Sequence, residues 1–246
     1  MKIITNEPFI AKRKKIANIL MPLALLFLGG GFFLNLYTLQ TPQREVNPMY
    51  FYIIMGSLIV GLMLSSISSG LINRWVKEPR ADQVLTTVLK GFSKKFTLFN
   101  YVIRPPHIMV GQNKIFVVIC KPQNGEVSVT NNKWKWKFSF WRLLRFFAIE
   151  PLGNPTYEAK SHVQELVNFL REHFTEEELS PMIIEPVIVF TDASITLTVN
   201  DSDIPALTGK ELKQFIRQSG KEKSGNGNKY VKVVKLLTDT VKQANQ

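Results

Sequence analysis

The sequence predicts an α+β (α/β) soluble domain on a mixed central sheet, attached behind a two-helix transmembrane hairpin. Three observations carry this expectation. First, no charged residue lies between Lys15 and Arg44 and none between Glu45 and Arg74, so each gap holds 28 uncharged residues. Second, the remainder, about 170 residues, is the size of one ordinary domain. Third, that remainder alternates stretches of helical period with short stretches of strand period, the pattern of helices packed on a sheet.

Each charge-free gap is long enough for a membrane crossing. At about 1.5 Å per residue a helix of that length reaches roughly 40 Å, against a hydrocarbon core about 30 Å thick. A basic segment, residues 1–15, precedes the first span, read as Ile16 to Leu39. A short external loop, residues 40–47, leads to the second, Pro48 to Ile72. The first run is longer than a signal-peptide core and a second span follows it, which favours a retained helix. Lys12, Arg13, Lys14 and Lys15 precede the hairpin, and Arg74, Lys77 and Arg80 follow it. The loop holds only Arg44, beside Glu45. The cation bias therefore predicts an integral membrane protein with both termini cytoplasmic. Tyr37, Tyr50, Tyr52 and Trp75 lie near the span ends, as interfacial anchors do. Gly29, Gly30 and Gly31 suit either close approach of the two helices or homo-oligomerisation through them; glycine is also simply common in membrane helices. No charge lies inside either span, which argues against an ion or proton pathway.

The soluble domain is predicted over residues 77–218. Val84, Leu85, Val88, Leu89 and Phe92 mark a helix from Ala81 to about Lys94. Leu98 to Arg104 is extended and is broken by Pro105-Pro106. His107 to Gly111 and Ile115 to Cys120 are strands around the turn Gln112-Asn113-Lys114. Glu126 to Thr130 is another strand, followed by the turn signal Asn131-Asn132. A helix runs from about Pro155 to His173, with proline in its first turn and a stripe of Val163, Leu166, Val167 and Leu170. Val187 to Phe190 and Ile195 to Val199 read as a strand pair around Asp192-Ala193-Ser194. Leu207 to Gln218 is a short helix capped by Thr208, with Glu211 at the capping-box spacing. Residues 219–229 have the composition of a flexible linker. Residues 230–246 hold a final amphipathic helix from Tyr230 to Gln243.

Lys133 to Phe140 alternates Lys-Trp-Lys-Trp-Lys-Phe-Ser-Phe. A period of two puts lysines on one side and aromatics on the other. With Trp141, Arg142, Arg145 and Phe147 beyond it, the stretch holds five cations and no acid. Three explanations stand for Lys133, Trp134, Lys135, Trp136, Lys137, Trp141, Arg142 and Arg145. The aromatics are the core side of a strand, or the segment sits in the bilayer interface, or it stacks on and neutralises a nucleic acid. The net charge of +12, of which +7 falls beyond residue 76, favours a polyanionic surface, either anionic lipid or nucleic acid.

Three segments resemble the NERD, or nuclease-related, domain. The first is His107-Ile-Met-Val-Gly111 leading through Ile115-Phe-Val-Val-Ile-Cys-Lys121 to Gly125-Glu126-Val127. The second is Asn154-Pro155 opening a helix that contains Gln164. The third is Pro186-Val-Ile-Val-Phe190. The resemblance covers Ala81 to Gln218 and implies a restriction-endonuclease-like fold with a PD-(D/E)xK site. In such a site an Asp and a Glu hold a divalent cation, usually Mg²⁺, while the Lys stabilises charge near the scissile phosphate. Here the decisive positions depart from that pattern. Aligned on Gly111 and Lys121, Pro106 stands at the Asp position and Ile119 at the Glu position; only Lys121 remains. Proline and isoleucine cannot ligate a hard cation. A relocated site of Asp82, Glu126 and Lys121 is the alternative.

Other chemistry is largely excluded. Cys120 is the single cysteine, so neither an intrachain disulfide nor a CxxC metal site exists. His107, His162 and His173 lack metal-ligand spacing, and no Gly-x-Ser-x-Gly elbow, Walker loop or dinucleotide fingerprint occurs. The expectation is a membrane-anchored binding or interaction module with a degenerate nuclease site, no metal and no cofactor. Its expected partners are the lipid bilayer and nucleic acid or anionic lipid. The alternatives are a Mg²⁺-dependent nuclease with relocated acids, and a membrane-interface scaffold without nucleic-acid binding.

Overall fold

The structure is a computed structural model that describes residues 1–40, 47–137, 150–219 and 228–244. The chain divides into two compact units. One holds residues 1–9 and the described residues from Pro79 onward, Glu150 excepted; the other runs from Ile10 to Glu78.

The second unit is a helical hairpin. Helix α1 (Glu7–Gln40) begins in the first unit and continues through the first apolar run; α2 (Met49–Leu71) carries the second and ends in a π-turn at Ile72–Val76. Both are long and apolar enough to cross a membrane. Their buried residues recur every seven positions: Ile10, Ala17, Ala24 and Gly31 on α1, and Ile54, Gly61, Ser68 and then Trp75 on the second arm. A strict seven-residue repeat keeps one seam facing the partner helix. Small residues in the seam bring the backbones close. Ser68 Oγ donates to Ala17 O at 3.4 Å, and Ser57 Oγ donates to Phe27 O. A Cβ at Gly61 would lie 2.7 Å from the Leu28 side chain, and one at Gly31 would lie 2.9 Å from Ser57 Oγ. Of the glycine triplet, only Gly31 meets the other helix, since Gly29 and Gly30 have open space beside them. Gly61→Ile is expected to overpack the seam by about 1–3 kcal/mol. A disulfide engineered between A17C and S68C should then form several-fold more slowly, and Gly30→Ala should leave its rate unchanged.

The first unit is α+β, with a mixed six-stranded sheet between two layers of helices. Its strands are β1 (Lys2–Thr5), β2 (Thr97–Asn100), β3 (His107–Val110), β4 (Ile115–Lys121), β7 (Ile184–Phe190) and β9 (Ala206–Thr208), in the order β1-β2-β3-β4-β7-β9. A second sheet, in the order β6-β5-β8, contains β5 (Gly125–Thr130), β6 (Lys133–Trp136) and β8 (Ile195–Val199). In the large sheet only β3 runs against its neighbours. The central strand β4 is apolar on both faces, because both are covered. On one face Val117, Ile119 and Phe190 pack with Ala159, Leu166 and Leu170 of α4 (Pro155–Arg171) and with Tyr230, Val233 and Leu237 of α7 (Asn228–Ala244). On the other, Phe116, Val118 and Val189 pack with Leu85 and Leu89 at α3 (Ala81–Val88) and with Leu212 and Ile216 of α6 (Gly209–Ser219). A one-turn helix, α5 (Glu176–Leu179), precedes β7.

Several sequence expectations need correction. Within the basic segment 1–15, residues 2–5 form an edge strand that the sequence pattern does not predict, β1, parallel to β2. Four residues of Lys-Ile-Ile-Thr are too short for alternation to register. The helix from Ala81 ends at Val88 rather than near Lys94, because Gly91 takes φ +72° and turns the chain away. The strand from residue 98 ends at Asn100, where Tyr101 takes φ 59° and its N–H donates to Pro106 O at 2.6 Å. The stretches 187–190 and 195–199 are not a pair. β7 lies in the large sheet between β4 and β9, whereas β8 runs parallel to β5 in the small one. The burial explains it: Val187 to Phe190 are buried without alternation and need cover on both faces, while β8 is half exposed. The final helix packs on the core through Tyr230, Val233, Leu237 and Val241.

Candidate functional site

The strands β1, β2, β4, β7 and β9 share one direction, so Asn100, Lys121 and Thr208 mark the same end of the sheet. Lys121 closes β4 there. Its carbonyl accepts from Thr191 N at 2.9 Å, which holds the strand end in place. Its side chain turns to the α4 face, is buried, and donates to Leu152 O at 3.2 Å and to the Glu158 carboxylate. Glu158 stands in the first turn of α4. Asn154 caps that turn by accepting from Tyr157 N at 3.1 Å, and Pro155 opens it. Two residues before Lys121 on the same face, Ile119 is 1% exposed among apolar neighbours. Pro106 offers only its carbonyl, which Tyr101 N engages. The residues at the two metal-ligand positions therefore supply no carboxylate.

Asp82 and Glu126 are not brought to Lys121. Asp82 is 5% exposed, and both its oxygens are engaged by Arg80: Nε donates to Oδ1 at 3.0 Å and Nη2 to Oδ2 at 3.1 Å. Tyr101 OH adds a 3.4 Å bond to Oδ1. The Asp82 carboxylate hydrogen-bonded to the Arg80 guanidinium raises its pKa above the ordinary arginine value, outweighing the opposing effect of burial. Tyr101 also packs edge-on against His107, whose Nδ1 lies 2.9 Å from Asn100 Oδ1; Asn100 Nδ2 in turn donates to Thr5 Oγ1 at 3.1 Å. This buried polar network locks β1, β2 and β3 together. Glu126 is exposed on the small sheet and pairs with Lys137 Nζ at 2.7 Å. Three acids thus serve three different cations, and among the described residues no group of three or more His, Cys, Asp or Glu is placed to hold a metal ion. The donor set does not fit the Mg²⁺ of a two-carboxylate site.

The alternating segment resolves cleanly over its described part. Asn131 and Asn132 take φ 49° and 59°, forming the two-residue turn that joins β5 to β6. Register then sorts the side chains: Trp134 and Trp136 lie opposite Val129 and Val127, on the inner face, and Lys135 and Lys133 lie opposite Ser128 and Thr130, on the outer. Trp134 Nε1 donates to Thr156 Oγ1 at 2.8 Å and its ring lies 5.9 Å from Phe190; Trp136 Nε1 donates to Asn124 O at 2.8 Å. Both indoles are half-buried and committed to the domain. Leu197 of β8 also faces inward opposite Val127, which leaves Thr196 and Thr198 on the outer face beside Glu126 and Ser128. That face is a polar plane of hydroxyls edged by Lys133, Lys135 and Lys137. Lys133 and Lys135 have no acidic partner among the described residues. Trp141, Arg142 and Arg145 lie outside the described residues.

Residues 75–191 match the family model of the nuclease-related domain, NERD. The chain carries a NERD domain. No curated protein and no solved structure matches it. The NERD match ends just after β7, so β1, β8, β9, α6 and α7 complete the two sheets and the core from outside it. Glu158, inside the match, is the site residue that sequence reasoning passed over. An acid in the first turn of a helix is ordinary for its favourable interaction with the helix dipole, and nothing in its spacing ties it to a lysine 37 positions earlier.

Proposed function

We propose that this chain is a membrane-anchored, non-catalytic NERD-domain protein that docks nucleic acid on the outer face of its small sheet, on the cytoplasmic side. The observation that carries the reading is the unpaired ladder of Lys133 and Lys135 over a hydroxyl-rich plane. On one strand such lysines stand about 6.8 Å apart, and each can neutralise a phosphate without apolar cost. The indoles are turned inward, so the expected contact is electrostatic and not base stacking. The engagement of Lys121 by Glu158, with Ile119 and Pro106 at the ligand positions, argues for binding without cleavage.

Two observations support the anchor. Only 11% of each apolar window is buried, whereas a soluble core helix would be covered. The pairing of Lys2–Thr5 with Thr97–Asn100 requires both segments to lie on one side of the bilayer, which an even number of crossings satisfies. The cations flanking the hairpin support the cytoplasm as that side.

Full-length protein in uncharged detergent micelles should bind labelled single-stranded and duplex nucleic acid with affinity falling steeply as salt rises. Lys133→Glu with Lys135→Glu should weaken binding more than tenfold and reduce the salt slope by about 1.4–1.8, since each lost phosphate contact removes roughly 0.7–0.9. Trp136→Phe should bind as wild type. Salt-insensitive binding would overturn the reading, as would binding confined to anionic-lipid nanodiscs. Mg²⁺-dependent cleavage abolished by Lys121→Ala would overturn its non-catalytic half.

A further inference from the structure

A cleft of about 490 Å³ opens at the opposite end of β4 from Lys121, between the β3–β4 turn, the segment after α3 and the end of α6. The NERD nuclease position does not reach it, nor does the lysine ladder. Its size falls within the range of small-ligand sites. Phe92 and Phe96 form one wall, their rings edge-to-face at 4.8 Å. Gly111 makes room for that wall, because a Cβ there would lie 2.7 Å from the Phe96 ring. The turn that starts at Gly111 is closed by its N–H donating to Lys114 O at 2.9 Å, and it sets the amides of Gln112 and Asn113 on the rim.

Among the described residues that line this cleft the charged ones are all cations, and none is an acid. Lys114 donates to Glu185 and Ser219, so its charge is already matched. Lys95 and Arg217 are exposed and meet no carboxylate among the described residues. Arg217 is stationed over the wall, its guanidinium carbon 5.8 Å from the centre of the Phe92 ring. An aromatic wall, the exposed Gln112 amide able to donate and accept, and two cations without acidic partners among the described residues are complementary to one chemical class: a flat heteroaromatic base carrying an anionic phosphate. We propose that this cleft binds a mononucleotide, with the phosphate on Lys95 and Arg217, the base along the phenylalanine wall, and the base edge read by Gln112.

The test is calorimetric titration of the full chain in uncharged micelles with AMP, GMP, CMP and UMP, with the matching nucleosides, and with inorganic phosphate. At least one nucleotide should saturate with a Kd below about 1 mM, more than tenfold tighter than its nucleoside and than phosphate. Arg217→Ala and Lys95→Ala should each weaken it about tenfold, Arg217→Lys should retain most of it, and the Lys133→Glu, Lys135→Glu double variant should leave it unchanged. That last arm separates this site from the polyanion face. The proposal is overturned if no nucleotide saturates, if phosphate or nucleoside alone binds as tightly, or if both alanine variants bind as wild type while melting at the wild-type temperature.

Discussion

Asp82→Ala is expected to destabilise the α+β unit by about 3–5 kcal/mol, the cost of breaking a buried ion pair by removing one partner. The Arg80 and Asp82 side chains are each 7% exposed and joined by two hydrogen bonds. Removing the carboxylate takes two hydrogen bonds from a buried guanidinium that cannot shed its proton to escape the low dielectric. It also removes the acceptor of Tyr101 OH, and Tyr101 is the residue that ends β2 and packs on His107. Asp82→Asn should cost less, since the amide oxygen still accepts a hydrogen bond. The double variant Arg80→Met, Asp82→Leu should recover much of the loss, because exchanging a whole buried pair for packed apolar groups is often neutral. Urea midpoints of the full chain in micelles, followed through the domain tryptophans, measure all four proteins. Were Asp82 a relocated metal ligand, the variants would instead change Mg²⁺ affinity, and the double variant would rescue nothing.

How much of this was legible in the sequence depends on the range of the interaction involved. The two long apolar helices, the strands from His107 and Ile115, and the helix from Pro155 follow from local pattern, because charge-free length, short apolar runs bounded by turn residues and an Asn-Pro cap are written in consecutive residues. The alternation of lysine and tryptophan even gave the correct sidedness over Lys133 to Trp136, since register converts it directly into inner and outer faces. What was illegible is pairing between distant segments. Lys2 to Thr5 gains meaning only beside Thr97 to Asn100, and Val187 to Phe190 and Ile195 to Val199 look like a hairpin until each finds its own sheet. The same holds at the site. Asp82 reads as a spare acid until Arg80 folds back on it, and Glu158 reads as a helix-start acid until β4 delivers Lys121. The seven-residue seam of the hairpin was present in the sequence, hidden because Ala17, Ala24, Gly31, Gly61 and Ser68 are small rather than conspicuously apolar.

A fragment cut to the NERD boundaries, residues 75–191, is expected not to fold, because those boundaries do not enclose the folding unit. They omit β1 and β9, which edge the large sheet at either side, and β8, which pairs with Gly125–Val129 of β5. They also omit α7, which covers the face of β4 that carries Ile119. Tyr230, Val233, Leu237 and Val241 are buried there, and at about 1.5–3 kcal/mol for each buried apolar side chain they contribute on the order of the domain's entire net stability, roughly 5–15 kcal/mol. A helix of 17 residues is marginal alone in water, so the order of α7 comes from this packing and its loss is mutual. Leu237→Ala should accordingly cost about 2–5 kcal/mol, read as a lowered urea midpoint, and a stop after Ser219 should abolish the cooperative transition. The polar fastenings of the same helix are weaker. Lys232 Nζ lies 2.6 Å from Glu178, and the hydrogen bond it donates holds that carboxyl below its ordinary pKa. A depressed acid adds stability above its unfolded pKa and loses it as pH falls through the folded one. Lys232→Ala should therefore narrow the difference in midpoint between neutral and acid pH by a small amount, whereas Leu237→Ala should lower the midpoint equally at both. A 75–191 fragment that unfolds cooperatively would show the α7 face to be dispensable and would remove the basis of both expectations.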